Sequence, residues 1–131
     1  MPTDMKHISI LFVVAAFYDG ILGLIFLVVP ITMLHAVGVP YEDHPGYIQF
    51  AAALLVVFAL MFIAVARHPV PNRNLIPYGI LLKVSYCGVV FSYWIAGRIT
   101  SIWKPFAILD VAWGLLFFWA YRDIGSKQGT L

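Results

Sequence analysis

Three ionisable residues stand inside otherwise apolar stretches: Asp19 in FYDGILGL, Lys83 in ILLKVSY and Asp110 in FAILDVAW. A charge held in hydrocarbon costs roughly 2.5–3.5 kcal/mol on insertion scales, so a chain without use for such residues is expected to shed them. Two chemistries suit the set. A buried ion pair between an acid and the base would fix helix order while adding little stability. Two acids against one base, however, leave one carboxylate unmatched. In a low dielectric that group keeps its proton unless water or a cationic ligand reaches it. A protonatable acid ringed by aromatic side chains suits proton coupling, or the binding of a cation or polar head group.

The elements that must hold these residues follow from composition. The chain has 131 residues, 63% hydrophobic and 11% charged, whereas soluble domains carry about a quarter charged residues. Long apolar runs broken by short polar punctuation fit lipid rather than water. The reading is an all-α integral membrane four-helix bundle, a single transmembrane domain over residues 1–131 with spans at 8–29, 47–66, 75–96 and 105–121. At about 1.5 Å per residue the first three spans reach about 30 Å, enough for the hydrocarbon core. The fourth is shorter unless its flanks extend it. Pro30 stops the first span, and Pro105 suits the first turn of the fourth. The apolar first half of the 30–46 connection suits a short helix or turn lying along the interface. Residues 1–30 are too long an apolar run for a signal peptide, contain Asp19 and lack a small-x-small cleavage site, so they read as a retained span.

An even number of spans puts both termini on one side. Lys6, Arg67, Arg73, Arg122 and Lys127 share that side, against Arg98 and Lys104 opposite. The positive-inside rule then predicts cytoplasmic termini. Tyr41, Tyr47, Tyr78, Trp94, Trp103, Trp119 and Tyr121 fall near span boundaries, where aromatic anchors belong.

Helical geometry assigns neighbours to each charge. Phe12, Ala15, Leu22, Gly23 and Phe26 share the face of Asp19, while Trp103, Phe106, Trp113, Gly114, Phe117 and Tyr121 share that of Asp110. Gly79, Tyr86, Val90 and Tyr93 lie on the side of Lys83, and Gly88, Ser92 and Ala96 form a small-residue ridge on the reverse side. That ridge suits close packing, including packing between copies of the chain. By depth, Asp19 and Lys83 match best near mid-membrane, with Asp110 reaching the same cavity from the outer side and Gln49 at a similar outer level. The candidate ligand-binding or proton-coupling residues are therefore Asp19, Lys83, Asp110, Tyr86, Tyr93, Trp103, Trp113 and Gln49.

Other signals are weaker. His35, Glu42, Asp43 and His44 gather in one loop but match no metal-binding spacing, and a wetted loop explains them. The single cysteine, Cys87, excludes an internal disulfide and reads as a small core residue. No histidines oppose each other within the spans, which excludes haem ligation. No basic tract points to nucleic acid. No nucleotide-binding loop, serine-hydrolase elbow, zinc-protease motif or cysteine–histidine pairing appears, so neither a cofactor nor a resident metal is expected.

In layout, with short loops and polar residues inside four spans, the chain resembles the DoxX-like small four-helix bacterial membrane proteins. FYDGILGL and WKPFAILD look like signatures of that kind. The resemblance implies a location in the bacterial inner (cytoplasmic) membrane. Small multidrug transporters are similar in span number and in their first-span acid, which Asp19 matches, but Lys83, Asp110 and the longer first loop depart from them. Three functions stay open: a protein that binds a lipid-like or amphipathic molecule or serves as an accessory subunit of a larger membrane complex; a proton-coupled small-molecule transporter using Asp19 or Asp110; and an isomerase-like membrane enzyme.

Overall fold

The computed structural model describes residues 5–39, 45–99 and 101–128, and Tyr41, Glu42, Asp43 and His44 lie outside them. The described chain runs α1 (Lys6–Val28), α2 (Pro30–Ala36), α3 (Gly46–Arg67), a 3₁₀ turn (Arg73–Leu75), α4 (Ile76–Ile95) and α5 (Trp103–Gln128), with no strand among these residues. α1, α3, α4 with its leading turn, and α5 are each long and apolar enough to cross a membrane.

Local sequence sets the helix ends. The backbone breaks at Val29, and Pro30 opens α2 at a position that needs no N–H partner. α2 and α4 close the same way, on glycines with positive φ, Gly38 (73°) and Gly97 (71°). The next amides, Val39 and Arg98, reach back to the carbonyls of Leu34 and Tyr93 at 2.9 Å. A side chain at either glycine would strain the left-handed backbone these caps require. At the end of α3 the Asn72 side chain donates to the Ala64 carbonyl at 2.9 Å, a second bond on the acceptor that already takes the His68 amide at 3.1 Å.

α5 runs further than the 105–121 span read from sequence, to Gln128. Its polar last turns stay helical because Asp123 pairs with Lys127 one turn on and with His7 of α1, each at 3.1 Å. The His7 ring also lies 5.4 Å from that of Trp119. These contacts place the start of α1 and the end of α5 at one end of the bundle.

The helices pack in two close pairs. A Cβ added at Gly23 of α1 would sit 2.7 Å from the Ala52 carbonyl oxygen of α3, and one at Gly20 would sit 3.2 Å from Ala59 Cβ. Small residues are what let these two backbones approach. α4 and α5 are nearly as close: the position of a Cβ on Gly114 lies 3.7 Å from Lys83 Cβ, and the Cys87 thiol donates to the Ala107 carbonyl at 3.4 Å. Large rings fill the space between the pairs. Phe12, Phe62 and Phe117, all fully buried, meet with centroids 4.9–5.9 Å apart. A second apolar cluster, Phe26, Leu34 and Ala52 with Trp103 against it, lies toward the α2 end. The outer surface is covered with Ile, Leu, Val and Phe side chains.

Candidate functional site

Between the two apolar clusters the three charges of the apolar helices come together. Lys83 Nζ donates to Asp19 Oδ2 at 2.8 Å and Oδ1 at 3.0 Å, and to Asp110 Oδ1 at 3.3 Å. Asp19 and Lys83 are each 2% exposed and Asp110 is 8% exposed. The sequence pointed to these residues, and the fold makes them one constellation. α1 positions Asp19, whose neighbours one and two turns away, Ala15, Gly23 and Phe12, are buried with it. α4 carries Lys83 over Gly79, where a Cβ would meet the Phe62 ring at 2.7 Å. α5 presents Asp110 beside the buried Ala107 and three turns of helix that also bury Phe117.

The two acids are not equivalent. Asp19 grips the ammonium with both oxygens. Asp110 offers one oxygen at longer range, and its side chain is 11% exposed against 2% for that of Asp19. Lys83 thus bridges both acids, with the closer contact to Asp19.

The aromatic residues divide. Trp113 lies one turn beyond Asp110, with its ring 5.9 Å from Tyr18 and 5.8 Å from Phe117. Trp103 packs against Phe26 at 6.2 Å, and its carbonyl accepts the Tyr86 hydroxyl at 3.1 Å. Tyr86 thus braces α4 against the start of α5 at the edge of the site. Two expected members stand elsewhere. Tyr93 is 50% exposed. It stands seven residues beyond Tyr86, just under two turns and so within about 20° of the same side, but close to the Ile95 end of α4, and its exposure comes with that end. Gln49 donates to the Leu27 carbonyl at 3.1 Å. That acceptor is left over where α1 breaks ahead of Pro30, so Gln49 serves a helix end rather than the charges.

The Gly88–Ser92–Ala96 ridge points outward. Nothing lies within 4 Å of a Cβ on Gly88, and the Ser92 hydroxyl bonds back to the Gly88 carbonyl at 2.7 Å. All three residues are exposed.

Tyr18 is the residue that face analysis omits. Its ring lies 5.4 Å beneath Lys83 Nζ and packs against Phe106 (6.4 Å) and Trp113 (5.9 Å). Those two residues flank Asp110 on α5 at i−4 and i+3, so Tyr18 covers the turn that carries Asp110. Its hydroxyl is buried with no hydrogen-bond partner. A signal was available: Tyr18 precedes Asp19. One residue along a helix is a 100° turn, however, which assigns Tyr18 to a different face until the position of α5 is known.

Among the described residues no cluster of three His, Cys, Asp or Glu side chains could hold a metal ion. The arrangement can hold a proton or a cationic group, or orient a polar head by charge. No protein-family model, curated protein or solved structure matches this chain.

Proposed function

We propose that the chain is an integral membrane protein of the bacterial cytoplasmic membrane, with cytoplasmic termini, whose four-helix interior binds the polar head of a lipid-like or amphipathic molecule. One observation carries this reading: two buried carboxylates share a single ammonium. A pair that only fixed helix order needs one acid. The second acid leaves a formal charge of −1 at the centre of an apolar bundle, and a chain with no use for that charge would lose it. The basic residues around the terminal end, Lys6, Arg67, Arg73, Arg122 and Lys127, support the orientation. The four-span layout and its DoxX-like resemblance support the membrane.

Native mass spectrometry on protein extracted gently from its own membrane tests the proposal. A discrete bound mass is the expected result, and a bare monomer counts against it. A stoichiometric second protein would instead favour an accessory subunit.

A second reading, proton-coupled transport, is favoured by the looser hold on Asp110. It requires Asp110→Asn or Asp19→Asn to abolish pH-driven flux in liposomes with the fold intact, and unchanged flux in both variants would remove it.

A further inference from the structure

We infer that the three charges divide their work: Asp19 and Lys83 form a fixed neutral pair, and Asp110 with the Tyr18 hydroxyl receives the cationic head of an amphipathic amine. This rests on the binding reading above and adds the chemical class of the ligand.

The division follows from how the bonds are spent. Both oxygens of Asp19 accept from Lys83, at 2.8 and 3.0 Å. That contact is the closest and most buried of the site, with both residues 2% exposed. Asp110 is bonded to Lys83 through Oδ1 alone, at the longest of the three distances, and has the greatest residual exposure of the set. Charge points the same way. The pair sums to zero and Asp110 adds −1, so the site is made neutral by one further positive charge, either a proton or a monovalent cation. An anionic head would raise the net charge to −2 in a low dielectric, which excludes it. Tyr18 supplies the second observation. A buried hydroxyl with no partner forfeits a hydrogen bond that most buried polar groups make, and it sits on the turn of α5 that holds Asp110. The rings of Tyr18, Phe106 and Trp113 meet there, and aromatic faces attract ammonium groups. An amine with an alkyl tail would place its N–H on Asp110 and its substituents against these rings. The proton it displaces from Asp110 leaves to solvent.

Labelling with dicyclohexylcarbodiimide tests this on the whole chain in phosphatidylcholine nanodiscs. A protonated carboxyl adds its oxygen to the central carbon of the reagent and passes its proton to nitrogen, so the label marks the acid that carries the exchangeable proton. Peptide mass spectrometry is expected to find it on Asp110 and not on Asp19, and Asp110→Asn is expected to lose it. N,N-dimethyldodecylamine, a tertiary amine that cannot itself be acylated, is expected to slow labelling by roughly tenfold, equivalent to about 1.4 kcal/mol of site occupancy. N-dodecylacetamide, with the same tail and no charge, should leave it unchanged. Tyr18→Phe should keep the label and weaken protection by the amine.

Label on Asp19, or on neither acid, overturns the division of work. Equal protection by both compounds overturns the amine class while leaving an amphipath-binding site in place. Protection by neither counts against the binding reading as well. Undiminished protection in Tyr18→Phe removes the tyrosine from the site.

Discussion

Replacing Lys83 by methionine keeps the length of the side chain and removes the ammonium that three helices share. Lys83 Nζ lies 2.8 Å from Asp19 and 3.3 Å from Asp110. At an effective dielectric constant of about 20, these separations correspond to Coulomb attractions of about 6 and about 5 kcal/mol. Desolvation of the three ions and repulsion between the carboxylates offset much of this. Removing one partner of a buried pair typically costs about 3–5 kcal/mol, and Lys83→Met is expected to fall in that range. The geometry further predicts which second change restores the loss. Lys83→Met with Asp19→Leu leaves only Asp110, the more exposed acid, which folds readily once it carries a proton. Lys83→Met with Asp110→Leu leaves Asp19, buried at 2% exposure with no counter-ion, and recovers less. Double-mutant cycles should therefore give a larger coupling for Lys83 with Asp19 than with Asp110, by about 1 kcal/mol. The assay is reversible unfolding by sodium dodecyl sulfate from maltoside micelles, followed by tryptophan fluorescence. A Lys83→Met loss below about 1 kcal/mol would refute the reasoning, as would equal couplings to the two acids.

The remaining predictions use the same assay. Gly23→Ala should cost about 1–3 kcal/mol, because its methyl would meet the Ala52 backbone oxygen at 2.7 Å and force α1 from α3. Gly88→Ala, with nothing within 4 Å, should stay within about 0.5 kcal/mol of wild type or gain slightly from helix propensity. Tyr18→Phe should leave stability unchanged or raise it by up to about 1 kcal/mol, since it removes a buried hydroxyl that has no partner. A clear loss would show that the hydroxyl is bonded in the folded protein. Arg73→Lys should lower stability by about 1 kcal/mol despite the retained charge. In the native chain Arg73 Nε donates to the Tyr121 carbonyl at 2.9 Å while its guanidinium lies 3.8 Å from the centre of that ring. An unchanged midpoint would show that this staple between the α4 approach and α5 contributes nothing.

Much of this protein was legible from its residues alone. Apolar runs of span length between proline and polar breaks gave four helices and, at Pro30, the short α2, because helix length depends on local composition and on where prolines fall. That Asp19, Lys83 and Asp110 stand apart from their surroundings was equally visible, because a charge inside an apolar run is costly wherever its helix ends up. The helical period correctly placed Ala15, Gly23 and Phe12 on the buried side with Asp19.

What the period could not supply was the rotation and spacing of one helix against another. Those are decided by side-chain packing across the bundle: by Gly23 seating α1 on the Ala52 carbonyl, and by the Phe12–Phe62–Phe117 rings holding the two helix pairs apart. Only that packing left Tyr93 exposed, gave Gln49 to a broken helix end and brought Tyr18 over the turn of Asp110. The inequality of the two acids has the same origin. Asp19 and Asp110 are chemically identical in the sequence, and the fraction of an ångström by which three backbones set their distances to one ammonium is a property of the assembled helices.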